Sequence, residues 1–337
     1  MIGKFQKEFI FEKAPFQSCH ASTLVPLKDG GIYAAWFGGS REGADDVRIW
    51  GARRESGRWS APEQLTWEEG APHWNPVLLR KPDGNLLLFY KIGKEISSWQ
   101  TKTMESSDEG RTWKPSRELV PGDFGGRGPV RNKAVILSSG RIAAPASIEQ
   151  GSWRAFADLS DDGGRTWKRG TEIYAQKRET VRMSIADSPI PLTEQSYRGR
   201  GVIQPTIWES SPGCVHMLMR SSEGRIYRSD SNDNAETWCE AFPTELPNNN
   251  SGIDLALHSD GKLYLAYNPI EVSFGPRTPL VLACSADNGN TWENILTLED
   301  GEGEYSYPAV LSVADQIWIS YTWKRERIAF WKITIEP

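Results

Sequence analysis

Side chains able to hold an anion or move a proton recur in this chain at the points where short apolar runs begin and end. The runs open on His20, on His73-Trp74-Asn75, on Arg131-Asn132-Lys133, on Gln204, on Asn250-Ser251-Asp254 and on Tyr305-Ser306-Tyr307. Where each run has turned and come back, the chain shows Trp36 to Asp46, Lys91, Glu149, Arg220, Asn268 and Tyr321-Thr322-Trp323. Arginine matches a carboxylate with paired donors. Imidazole titrates near neutral pH and suits proton transfer. The indoles of Trp36, Trp74 and Trp323 offer flat apolar faces of the kind a sugar ring packs on. Brought together, these residues would bind an acidic sugar. His216, alternating with Val215 and Met217, and His258, at a Ser259-Asp260-Gly261 turn, read as structural.

Elements that could gather these residues are visible as a repeat. Ser106 to Trp113, Ser160 to Trp167, Ser231 to Trp238 and Ser285 to Trp292 all read S-x-D-x-(G/A)-x-T-W, and Arg53 to Trp59 is a worn copy. The aspartates recur at intervals of 54, 71 and 54 residues. An Asp that accepts from turn amides, a Gly that supplies positive φ and a Trp that returns the chain to the core make this a hairpin turn; Ala235 departs at the Gly position. The polar clusters run in phase with it, each followed by an apolar strand, a turn such as Asp83-Gly84, and another strand. Six clusters imply six units of about 55 residues without helical period, which predicts an all-β six-bladed β-propeller of four-stranded antiparallel blades with these turns, spanning 1–337 as one domain. In that architecture the innermost strands start near one end of the axis, so their opening residues converge. Phe5 to Phe11 and Ile328 to Ile335 are expected to pair and close the ring.

Composition narrows the partners. With 39 basic against 44 acidic residues and a net charge of -5, the chain has no footprint for a polyphosphate backbone, so nucleic acid is not expected. No run approaches the ~18 apolar residues of a membrane span, and charges stand where a secretory signal would be apolar, which predicts a cytoplasmic protein without membrane contact. Cys19, Cys214, Cys239 and Cys284 are far apart, and are expected as reduced, mostly buried thiols. No spacing signals a metal site, and neither metal nor other cofactor is expected.

The turn pattern is the Asp-box, and with the blade spacing the whole chain resembles the sialidase (neuraminidase) superfamily. The resemblance implies that the Asp-boxes are structural and lie at the blade periphery. It implies that Arg220, in Met217-Leu218-Met219-Arg220, and Arg277, in Arg277-Thr278-Pro279-Leu280, hold a substrate carboxylate. It makes Tyr305, in Tyr305-Ser306, the nucleophile, and Asp46, in Arg41-Glu42-Gly43-Ala44-Asp45-Asp46, the acid/base, with Asp45 its rival. Two positions depart from the family. His20-Ala21-Ser22-Thr23 stands in place of Arg-Ile-Pro, and Gln204, before Pro205, replaces the glutamate that would activate the tyrosine. A phenol titrating near pH ~10 needs a carboxylate to accept its proton, which an amide cannot do. Glu149 and Glu304 are the substitutes, and strand alternation points Glu304 away from Tyr305. The chain is most similar to a subgroup reading His-Ala-Ser-Thr, His-Trp-Asn-Pro, Asn-Ser-Gly-Ile-Asp and Tyr-Ser-Tyr-Pro at the strand starts.

Three functions fit an acidic oligosaccharide partner. In a retaining exo-glycosidase Tyr305 attacks the anomeric carbon, Asp46 protonates the leaving oxygen, and Arg220 and Arg277, completed by His20 or Arg41, clamp the carboxylate. In a lyase acting on a uronate the same arginines neutralise the carboxylate while His20, His73 or Tyr305 removes the adjacent proton. In a lectin-like propeller the pocket binds and nothing turns over. Lys91, Asn75, Arg131, Lys133, Gln204, Asn268, Trp74 and Tyr307 complete the expected lining.

Overall fold

The computed structural model describes residues 2–176 and 199–336. Apolar runs interrupted by Gly-containing turns fold as antiparallel meanders. After His73–Arg80, for example, Asp83 Oδ1 accepts from Asn85 N at 2.9 Å and Gly84 takes φ 85°, which sends the chain back along Leu86–Ile92. Among the described residues the strands form six such groups, whose first strands are Ser18–Pro26, His73–Arg80, Val135–Ile136, Arg200–Ser211, Asp254–Leu257 and Tyr305–Val313. They are called the first to sixth groups below. The last includes the N-terminal strand: Ile2–Phe9 pairs antiparallel with Arg327–Ile335, Phe5 opposite Ile333 and Phe9 opposite Ala329. The third and fourth groups are not separate sheets, because Ser152 and Trp153 pair in parallel with Arg200 and Gly201 and join them into one eight-stranded sheet. The only helical element among the described residues is a single 3-10 turn, Ile96–Ser98.

Each group buries its faces on its neighbours. Tyr33 and Phe37 of the first group pack with Leu88 and Tyr90 of the second, Phe89 of the second with Ile142 of the third, and Ala157 of the third with Met217 of the fourth. Leu218 then meets Leu265, Tyr264 meets Ile319, and Trp318 and Phe330 of the sixth group meet Trp36 of the first. Most of the tryptophans serve these interfaces. Trp36 is fully buried and stacked on Phe11, and Trp74 packs between Phe37 and Trp99. Trp323 lies against Phe9 and Tyr305. None of the three is an open platform for a sugar. The cysteines are free, but only Cys19 is buried.

The Asp-box turns form as their residue types require. Asp162 accepts from the amides of Arg165 and Thr166 and from the Thr166 hydroxyl, while Ser160 Oγ accepts from Gly164 N. At the position usually glycine, Ala235 takes φ 66° and still donates to Ser231 at 3.1 Å.

The first strands are tied across the middle by buried polar side chains. Asp254 of the fifth group accepts from Lys133 of the third at 2.9 Å, from Thr206 Oγ1 of the fourth at 2.6 Å and from Val310 N of the sixth at 2.7 Å. Arg131 of the third donates to the carbonyl oxygens of Ser22 in the first and of Tyr307 and Pro308 in the sixth. Removing one partner of a buried ion pair strands the other, so Asp254→Ala is expected to cost about 3–5 kcal/mol. A fall in the thermal midpoint checks it, and a melting curve within error of the parent contradicts it.

Candidate functional site

A bulge near the start of four first strands aims the central side chains. Pairing with the second strand slips between His20 and Thr23, Trp74 and Val77, Ile203 and Thr206, and Ser306 and Ala309. In each slip one residue takes positive φ: Ala21, Asn75, Gln204 and Tyr307. Such a bulge turns a side chain off the alternation of its strand. Three of these residues precede Pro76, Pro205 and Pro308, which have no N–H to lose. Tyr307 is thereby brought to a focus. Its hydroxyl accepts from Arg220 Nη1 at 2.7 Å, and the guanidinium carbons of Arg131, Arg277 and Arg220 stand 5.1, 5.4 and 5.7 Å from its ring centre. The His20 ring packs on it at 4.1 Å. Gly252 makes room, since a Cβ there would come within 3.2 Å of the ring.

Arg220 is buried yet has no carboxylate bonded to it. Its acceptors are Gln204 Oε1 at 2.9 Å, Asn250 Oδ1 at 2.9 Å and the Tyr307 hydroxyl, and Nη2 donates to none of the described residues. Gln204 in turn donates to Glu149 at 3.3 Å. Burial raises the pKa of Glu149, against Arg220 and the Gln204 hydrogen bond, which lower it. Two further arginines share one carboxylate: Glu304 Oε1 accepts from Arg277 at 2.7 Å, Arg325 at 2.9 Å and Ser306 at 2.7 Å, and Arg325 also pairs with Glu42. Burial alone would push the Glu304 pKa up, but Arg277 and Arg325 hold it at about 2. His20 is driven well below the ordinary imidazole value by burial and then by Arg325, Arg277, Arg131 and Arg220, so it is neutral at pH 7. Its Nδ1 bonds Thr322 Oγ1 at 2.8 Å.

The structure thus gathers His20, Arg131, Glu149, Gln204, Arg220, Arg277 and Tyr307. Other expected residues lie elsewhere. Tyr305 is turned into the core between the fifth and sixth groups, where its hydroxyl donates to Glu302 O at 3.2 Å, so Tyr307 replaces it beside the arginines. Asp46, exposed, is held by the amide and hydroxyl of Ser40, and the loop carboxylate that reaches Arg325 is Glu42. Arg41 is exposed on that loop. His73 bonds Thr66 at 2.7 Å and packs on Tyr90; burial and then Arg48 lower its pKa to about 4. Lys91, opposite Trp74 in the pairing, points between the second and third groups to Thr101 and the Arg127 carbonyl, and burial lowers it to about 7. Lys133 is spent on Asp254, and Asn268 on the carbonyls of Pro279 and Tyr305. Trp74 donates to Gly93 O within the core. Asn75 occupies the second group's bulge, with no hydrogen bond joining it to the Arg220 cluster. Glu304, which alternation set aside, is central as the counter-ion of two arginines.

Sequence reasoning missed Arg325 and Glu42. Arg325 stands two residues beyond Trp323, in a turn where Lys324 and Arg325 both have positive φ. Extending the polar ring through that turn would have found it. No three His, Cys, Asp or Glu side chains among the described residues are grouped to hold a metal ion.

An all-β repeat protein with an arginine-rich polar centre where its strands begin is the class this geometry defines. The chain belongs to the BNR repeat-like domain family, whose model matches residues 30–319. Among solved structures, a protein of unknown function from Dyadobacter fermentans is similar with TM-score 0.77 and 13% identity over 99% of both chains. A mutant of the NanB sialidase from Streptococcus pneumoniae follows at 0.72 and 12%, over 97% of this chain and 70% of that one. Trypanosoma rangeli sialidase with the inhibitor DANA gives 0.71 and 14%, and the chain, matched over 98%, spans 60% of its length. At these identities the likeness is one of fold. No curated protein matches the sequence.

Glu304 titrates lower in the folded protein than its ordinary 4.5. Its stabilising contribution is therefore full above that value and is lost as pH falls toward about 2. Glu304→Gln is expected to flatten stability over that window relative to the parent, in acid titrations followed by near-ultraviolet circular dichroism; curves of unchanged shape would contradict the pairing.

Proposed function

We propose that the strand groups are the six blades of a closed propeller, and that its centre binds the carboxylate of an acidic sugar and processes that sugar. The observation carrying this is Arg220: a buried guanidinium held by neutral acceptors only, with Nη2 uncommitted. A buried cation wants a counter-charge, and a ligand carboxylate supplies it, with Arg277 as second donor. The sialidases among the structural neighbours make a glycosidic substrate the natural choice.

The reading the geometry favours is hydrolysis of a terminal carboxylated sugar by a retaining mechanism. Because Tyr307 accepts from Arg220, its own O–H proton is directed elsewhere and is released to water, while the arginines around the ring favour the phenolate left behind and hold His20 neutral. Tyr307 Oη then attacks the anomeric carbon, and Asp46, on the loop that also carries Glu42, is the candidate donor of the proton to the leaving oxygen. Water later displaces the phenolate from the anomeric carbon, giving a proton to Asp46, and the phenolate recovers the proton it had released. A second reading, a lyase, is favoured by one observation: no carboxylate among the described residues is bonded to Tyr307, whereas an imidazole packs on it. In that case His20 or Tyr307 takes the proton beside a uronate carboxylate neutralised by Arg220, and the leaving oxygen departs protonated, leaving a double bond.

Incubation with sialylated, Kdo-containing and uronate-containing oligosaccharides, read by mass spectrometry, separates the readings by whether water is gained. Tyr307→Phe is expected to lower kcat by ~100-fold or more, while Tyr305→Phe stays within a few-fold. Arg220→Ala is expected to raise KM by roughly 10- to 100-fold, the worth of a charge-assisted hydrogen bond. Loss of activity in Tyr305→Phe with Tyr307→Phe intact would overturn the assignment. Binding without turnover would leave a lectin.

A further inference from the structure

Away from the axis, the fourth group carries a second constellation with the parts of a nucleophilic site. His216 lies in the second strand, Cys214–Ser221, paired with Trp208 of the first and with Asp230 of the third, Arg225–Ser231. Cross-strand partners share a face, and so do Arg228 and Asp230 two apart, which places Trp208, His216, Arg228 and Asp230 on one surface, while a bulge between Glu209 and Ser211 carries Ser210 to the same place. Ser210 Oγ is 2.7 Å from His216 Nε2, and His216 Nδ1 is 2.5 Å from Asp230 Oδ1.

Asp230 only accepts when ionised, so the 2.5 Å contact assigns the hydrogen to Nδ1, with Arg228 Nη2 also 3.2 Å from that nitrogen, and makes Nε2 the acceptor shared by the Ser210 hydroxyl and Asn288 Nδ2. Around Asp230, burial raises the pKa, but hydrogen bonds from His216 and Arg228 leave it lower than usual. Arg228 fixes the carboxylate through Nε at 2.8 Å and reaches the fifth group's turn through Asn288 O at 2.8 Å. The imidazole is stacked on Trp208 at 4.9 Å. Asn288 is anchored by Trp208 Nε1, which donates to its Oδ1 at 2.8 Å, so its Nδ2 is turned to the Ser210–His216 junction, 3.2 Å from Nε2. Ser210 itself is exposed. Nucleophile, base and orienting carboxylate are present within hydrogen-bond reach of one another, with Asn288 Nδ2 at the base nitrogen.

We propose that Ser210, His216 and Asp230 form a second active site, a serine esterase for small acyl esters. Ser210 Oγ attacks the ester carbonyl carbon as its proton passes to His216 Nε2. The tetrahedral intermediate breaks its C–O bond, the alkoxide leaves with the proton from Nε2, and the acyl group stays on Ser210. Water then attacks the acyl-serine, giving its proton to Nε2. Collapse releases the carboxylic acid and returns the proton to Ser210, for a net ester plus water giving acid plus alcohol. The open surface suits an acetyl ester.

The full chain is treated with a fluorophosphonate, the adduct is mapped by peptide mass spectrometry, and turnover of 4-nitrophenyl acetate is followed. The expected result is one adduct, on Ser210, with turnover falling at least ~100-fold in Ser210→Ala and in His216→Gln. Asp230→Asn, which keeps the shape, is expected to slow labelling comparably. Circular dichroism of each variant separates loss of chemistry from loss of fold. An unlabelled Ser210 in folded protein, or turnover that survives Ser210→Ala, overturns the proposal. The outcome is independent of the axial pocket.

Discussion

Everything at the strand-start end hangs on charges buried where the first strands meet. Asp254 is almost wholly buried and collects donors from three other groups, while Arg131, likewise buried, spends its donors on carbonyls of two. A buried ion costs least where its lone pairs or protons are satisfied. Asp254 meets that condition more fully than Arg131, whose Nε has no partner among the described residues and whose pKa burial lowers to about 10 although Asp254 acts to raise it. These two side chains convert sequence phase into spatial convergence: without them, the openings of the first strands would be neighbours in pattern but not in register.

The same constraint explains how the arginines are distributed. Arg277 and Arg325 are balanced by Glu304 and Glu42. Arg220 is held by the amide oxygens of Gln204 and Asn250, which fix its direction without cancelling its charge, and buried Glu149, which accepts from Gln204, feels that charge.

What was legible in the sequence follows from what is periodic. The Asp-box turns, the meanders and the pairing of the N-terminal strand with the last one each rest on local patterns, and they are found as read, with Ile2–Phe9 in place of Phe5 to Phe11. The joining of the third and fourth groups through Ser152 and Arg200 is a tertiary event with no local signal. Within the site, the phase of strand openings and returns grouped His20, Gln204, Arg220 and Lys91; the first three meet around Tyr307, whereas Lys91, opposite inward-packed Trp74, turns to Thr101 and the Arg127 carbonyl. Arg325 was hidden because it belongs to a turn rather than to a strand end.

Tyr305 and Tyr307 show the limit most sharply. Both stand in one Tyr-Ser-Tyr segment and, on an unbroken strand, both would face the same side. The bulge between Ser306 and Ala309 separates them, with Tyr307 at φ 54° over the axis and Tyr305 in the core. Family likeness carries residue type and order across the segment, yet the assignment of chemistry depends on a single backbone angle. That angle is stable here because Arg131 holds the Tyr307 carbonyl from behind while Arg220 holds its hydroxyl in front. Tyr307 is thus held at its backbone by one cation and at its hydroxyl by another, and the geometry of the cluster is inseparable from the charges buried where the first strands meet.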